Sequence, residues 1–218
     1  MMISPDIFFE LQLKDKSAEE IKRIIRGLKR EINRLKNILE HPNYTRTIDP
    51  AEDVQLACKR EYLKGAINAL ESLGETYKPT VNELKSIDFN NSIPDISRIE
   101  FHIGGYFGPN KHVSIAIDDM VHFHISEMED QVYVIREREF DCKKEDLLAF
   151  LPDLFIGEWR RHYSLERYGL CVDDGTQWEL IIEYNNDRKS FKSTGDNAYP
   201  YNFQRFLDVI CLDDQLYV

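Results

Sequence analysis

Residues 174–200 constrain the fold more than any other stretch of the chain. Trp178, Leu180, Ile182 and Tyr184 fall on one face of an extended segment, because side chains alternate faces with period two. Gln177, Glu179 and Glu183 fall on the other, with Ile181 the single apolar residue among them. Asn185-Asn186-Asp187 is a turn cluster that tolerates positive φ. Residues 188–193 are expected to return as a partner strand, and Gly195 and Pro200 lead into a last helix over about 202–211.

Upstream, 98–103, 112–117, 120–126 and 131–140 read as four more strands. Each is the hairpin partner of its neighbour, and the result is an antiparallel meander. Gly104-Gly105 and Gly108-Pro109 lie in the first connection. They lack the Lys-Ser/Thr of a phosphate loop, and a strand rather than a helix follows, so they read as a hairpin connection. Residues 143–151 are expected to be helical; 155–164 fit either a continuation of that helix or a new one.

The first third of the chain has a different period. Ser17-Ala18-Glu19-Glu20 is a capping box. From it Ile21, Ile25, Leu28, Ile32, Leu35 and Leu39 recur at spacings of four and three, an a/d seam that needs a helical partner. A second helix, capped by Asp49 with Pro50 at its first position, carries Leu56, Leu63, Ala66, Leu70 and Leu73 and stops at Gly74. Residues 7–13 read as a short extended lead-in or a first helical turn. The fold class is therefore α+β: an N-terminal antiparallel helical hairpin, then an antiparallel sheet of about six strands with helices on one face. The expected division is 1–78 hairpin, 79–97 linker and 98–218 sheet domain, the linker read from Pro79, Asn90-Asn91 and Pro94.

Charge narrows the function classes. The chain of 218 residues has a formal net charge of −11, distributed unevenly. Residues 1–36 hold nine Lys/Arg against six Asp/Glu, whereas 37–218 hold nineteen against thirty-three. A body that acidic repels phosphate, which argues against nucleic acid as its ligand and suits a basic protein partner. The first helix shows Arg23, Arg26, Arg30 and Arg34 as a candidate docking face, without the interleaved aromatics of a single-strand binder. The expected setting is cytoplasmic: no apolar run approaches a membrane span, and the N-terminus lacks the layout of a signal peptide.

Candidate chemistry is sparse. His122 and His124 lie two apart on one strand face and could hold a metal, with Asp118 or Asp119 as a third ligand; this motivates a metal-dependent hydrolase as the alternative function. Cysteines 58, 142, 171 and 211 are too far apart for a Cys-x-x-Cys pair. Cys142, near a helix start whose dipole would lower its pKa, comes closest to an activated thiol. Trp159, Trp178, Tyr199 and Tyr201 read as packing between the sheet and the last helix, with Tyr199 and Tyr201 as candidates for a recognition surface.

The run Asp174-Gly175-x-x-Trp178-x-Leu180-x-Ile182-x-Tyr184, followed by Gly195-x-Asn197-Ala198-Tyr199-Pro200, resembles the signature of an uncharacterised bacterial family. Members also carry Gly-Gly-x-x-Gly-Pro upstream, matched by Gly104, Gly105, Gly108 and Pro109, and a Trp before an apolar-Tyr pair, compared with Trp159 and Tyr163. The resemblance spans about residues 98–211 and brings no activity or catalytic residue with it.

The leading expectation is a non-enzymatic binding protein, sharpened to an acidic inhibitor of a nucleic-acid-handling protein in conflict between bacteria and phage. No catalytic residue and no cofactor is expected. A homo-oligomer through the heptad seam is a further expected partner, and nucleic-acid binding through the first helix is the second alternative.

Overall fold

The structure, a computed structural model, describes residues 3–46, 48–105, 108–129, 133–171 and 174–212. The chain divides into two compact units, residues 1–79 and 80–218.

The first unit is the helical hairpin. Ser17 accepts from the backbone N–H of Glu20, and Glu20 returns to Ser17, so the capping box opens a helix over Ala18–Leu39 (α2). The seam residues Ile21, Ile25, Leu28, Ile32 and Leu35 are buried. They face the helix Glu52–Ser72 (α3), which contributes Leu56, Tyr62, Ala66, Ala69 and Leu70. Leu73, expected on that stripe, is exposed: it lies just past the end of α3, at the C-cap. Gly74 ends the helix with φ of 81°. The expected Asp49–Pro50 cap is displaced: Ala51 holds the cap position.

Of the two alternatives for residues 7–13, the helical turn is the one the structure adopts. Ser4 caps a short helix Pro5–Phe8 (α1) that continues as a π-turn over Phe9–Leu13. Ser-Pro-Asp is itself a helix-start signal. The turn also buries Leu13 and stacks the Phe8 ring on Tyr62 at 4.1 Å, contacts an extended segment would not give.

The second unit opens where a linker was expected. Thr80 and Glu83 form another capping box, and Val81–Ser92 is a helix (α4). Asn90-Asn91 and Pro94 read as loop, yet Phe89 and Ile93 at helical spacing bury in the core and carry the segment into the domain.

The strands are β1 (Ile96–Gly105), β2 (Asn110–Ile117), β3 (Met120–Glu129), β4 (Tyr133–Lys143), β5 (His162–Ser164), β6 (Thr176–Tyr184) and β7 (Phe191–Asp196). They form one sheet of order β4-β3-β2-β1-β6-β7-β5, antiparallel except for the β5–β7 pair. β7 begins three residues later than expected. Residues 155–164 form a 3₁₀ turn and then β5 rather than a helix, after Phe155 adopts positive φ.

One face of the sheet carries the core: Ile99, Phe101, Val113, Ile115, Val121, Phe123, Trp178, Leu180 and Ile182 are each at most 4% exposed. Against it pack α4, helix α5 (Lys144–Phe150), the 3₁₀ turns at 152–158 and helix α6 (Phe203–Val209). Trp178 is the centre, with Phe203 at 5.0 Å, Tyr163 at 5.8 Å and Trp159 at 5.9 Å between ring centroids. Its indole N–H donates to Ala198 O at 2.9 Å, which satisfies the one polar group it buries. The architecture is thus the α+β arrangement expected, with seven strands.

Candidate functional site

Burying one face of six of the strands, with β4 only half-burying its alternate residues from Arg138 to Cys142, forces the intervening residues onto the opposite face. Strand register then aligns them into three rows across the sheet. The first runs Glu137, Ser126, His112, His102, Glu179, Thr194 and His162, one residue from each of the seven strands. The second runs Glu139, His124, Ser114, Glu100, Ile181 and Lys192. The third runs Asp141, His122, Ala116, Arg98 and Glu183. Five of the six histidines in the chain stand on this face. Six carboxylates accompany them, against two bases, Arg98 and Lys192.

The contacts are mostly between strands. His112 Nε2 lies 2.8 Å from Glu100, whose other oxygen meets Arg98 and the Ser114 hydroxyl. His122 Nδ1 lies 2.8 Å from Asp141, and its Nε2 is 3.5 Å from Asp118. His124 Nε2 lies 2.6 Å from Glu137 and 3.8 Å from Glu139. His162 Nδ1 is 2.9 Å from Thr194 Oγ1, and Lys192 pairs with Glu179.

These neighbours pull the histidines in different directions. The Asp141 carboxylate raises the pKa of His122, helped by Asp118, because both favour the imidazolium. His102 goes the other way. Partial burial disfavours its charged form, and His112 opposite adds like-charge repulsion that Glu179 only partly offsets.

The residues singled out by sequence fall into separate places. Arg23, Arg26, Arg30 and Arg34 form one exposed stripe along α2 in the helical unit. Arg34 pairs with Glu31, whereas Arg23, Arg26 and Arg30 make no ion pair among the described residues. Tyr199 and Tyr201 belong to the sheet unit and are half-buried: Tyr199 packs on Phe203 at 4.8 Å, and Tyr201 donates to Glu158 at 3.1 Å. Burial pushes the Tyr199 phenol up. His122 and His124 share a face, but each turns to its own carboxylates. Asp119, the other candidate third ligand, is exposed in the turn beyond β2.

Cys142 overturns its expectation. It sits at the end of β4, and burial raises its pKa, with Asp146 adding to the effect. None of the four cysteines is in a disulfide. The residues missed by sequence are the β4 acids Glu137, Glu139 and Asp141. Alternation on each strand marks them as outward-facing, but only register brings them together.

The signature segments meet at one end of the sheet. Asn197 Oδ1 accepts from Thr176 N at 2.8 Å, and Thr176 O accepts from Asn197 N at 2.9 Å. A Cβ on Gly175 would lie 1.9 Å from the Asn197 amide, and one on Gly195 would lie 2.1 Å from Trp178 Nε1. Both glycines are explained by close packing. Beside them lies a cleft of about 330 Å³ lined by Ile103, Gly104, Lys111, Asp174, Leu207 and Leu212.

Among the described residues no helix is long and apolar enough to cross a membrane. Comparison of the chain with protein-family models, with curated proteins and with solved structures returns no match.

Proposed function

We propose that this chain is a non-enzymatic binding protein whose open sheet face receives a basic protein surface. One observation carries the reading: three aligned rows present six carboxylates against two bases, with no helix of the same unit packed over them among the described residues. Charge complementarity of this kind steers association and selects partners by sign. The proposal includes membership in the bacterial signature family and a cytoplasmic setting. Its sharper form is an inhibitor that occupies the basic groove of a nucleic-acid-handling protein.

The test is isolation of the complex from the native host, with light-scattering mass, followed by binding of the purified partner. A basic partner in fixed stoichiometry is expected, weakened at least tenfold by Glu179→Lys/Glu183→Lys and weakened by salt. A partner held equally by that variant, or recovery of the chain alone, would overturn the reading.

A second reading rests on the arginine stripe. Arg23, Arg26, Arg30 and Arg34 span about 16 Å of α2. An anionic ligand, nucleic acid included, would bind there with steep salt dependence and be lost in Arg26→Glu/Arg30→Glu/Arg34→Glu. Salt-independent binding, or binding kept by that variant, would eliminate it.

A further inference from the structure

We propose that His124 Nε2 and one carboxylate oxygen each from Glu137 and Glu139 form a site for a divalent first-row transition ion. These atoms all lie within 4.8 Å of one another. Their positions follow from the backbone. His124 stands directly opposite Glu139 in the β3–β4 register, and Glu137 is two residues along β4 on the same face.

Three ligands of a tetrahedral ion at metal–ligand distances near 2.1 Å stand about 3.4 Å apart. The His124–Glu137 separation of 2.6 Å must open and the His124–Glu139 separation of 3.8 Å must close, each by less than an ångström. Rotation of side chains that are 39%, 54% and 73% exposed supplies that movement without shifting a strand.

The charge pattern favours a cation over a simple ion pair. One imidazole needs one carboxylate, yet two converge on it. Neither Glu137 nor Glu139 meets a Lys or Arg among the described residues. The arginines interleaved with them, Arg136 and Arg138, alternate to the other face of β4. The two carboxylates therefore repel each other without a fixed cation between them, and a divalent ion would relieve that repulsion.

One nitrogen and two oxygens make a borderline-hard donor set, suited to Zn²⁺, Co²⁺ or Mn²⁺ and poorly suited to Cu⁺. The exposed position leaves remaining coordination sites open to water or to a ligand from a partner. His122, with Asp118 and Asp141, lies two residues along the strand and is the competing set. The proposal stands apart from docking of a basic protein: either can fail while the other holds.

The test uses the full chain, stripped of metal with chelator, in equilibrium dialysis against Zn²⁺ and in titration with Co²⁺ followed by its visible absorption. One equivalent is expected. His124→Ala and Glu137→Gln/Glu139→Gln should each weaken binding by more than about tenfold, while His162→Ala on the same face leaves it unchanged. Circular dichroism checks that each variant is folded, and the isosteric Gln pair provides the test if His124→Ala misfolds. No saturable binding by the unaltered chain would overturn the site. Binding kept in the Gln pair would also overturn it, as would a loss in His122→Ala matching that in His124→Ala.

Discussion

The two units handle charge in opposite ways. Residues 1–79 carry fourteen Lys/Arg against thirteen Asp/Glu, whereas 80–218 carry fourteen against twenty-six. In the helical unit the partners are mostly close in sequence: Lys14–Glu10, Lys16–Glu20, Lys22–Glu19 and Arg34–Glu31 lie three or four apart. In the sheet unit Glu100–His112, His122–Asp141, His124–Glu137 and Lys192–Glu179 lie twelve or more apart and meet only because strands pair. A helix brings i and i+4 together by its own geometry, while a sheet does so only through register. The helical unit therefore wears its polar surface in its sequence, and the sheet unit does not.

The largest test of that contrast is structural. Trp178→Ala removes the indole at the centre of the aromatic cluster and should cost about 3–5 kcal/mol, read by denaturant unfolding with a probe in the sheet unit. Gly195→Ala should act through the same residue, because its Cβ would meet the Trp178 ring. In the helical unit, Leu28→Ala opens the buried seam and should cost about 2–5 kcal/mol. A loss under 1 kcal/mol at Leu28 would mean the seam is not the unit's core.

Smaller effects sharpen the comparison. Ser17→Ala and Thr80→Ala each remove half of a capping box, one in each unit, and should each cost about 1 kcal/mol in thermal unfolding. Removal of a cap that mattered in only one unit would show that the helix starts are not equivalent.

The subtlest effect concerns protons. His122 should titrate above its ordinary 6.5 and His102 below it, read from imidazole resonances in a pH series. The signs for stability differ accordingly. His122 binds its proton more tightly when folded, so its contribution is present below pH 6.5 and fades as pH rises through the raised value. His102 holds its proton less tightly when folded, so its contribution is present above pH 6.5 and fades as pH falls. Two histidines titrating together would contradict the contacts that distinguish them.

Much of the fold was legible in the chain. The seam from Ile21 to Leu35, the capping box at Ser17 and the alternation from Trp178 to Tyr184 state their structure through local spacing alone. Helix α4 was not legible, since Pro79, the Asn pair and Pro94 mask a capping box and a core pair at Phe89 and Ile93. Residues 7–13 stayed open between extended and helical for a related reason: Phe8 packs against Tyr62, a contact 54 residues away. The face was legible in halves. His122 and His124 stand out as a pair, but their acids are supplied by a strand that no spacing rule links to them. The same holds for His102 and His112, which are partners only once β1 and β2 are aligned.

The central claim is that the open sheet face is where this protein meets its partner. Carboxylate footprinting of the isolated complex against the free chain tests it most directly. Labelling of Glu100, Glu179 and Glu183 should fall in the complex, with exposed Asp153 and Glu166, away from the three rows, unchanged. Unchanged labelling across the three rows, with protection confined to carboxylates of the helical unit, would contradict it.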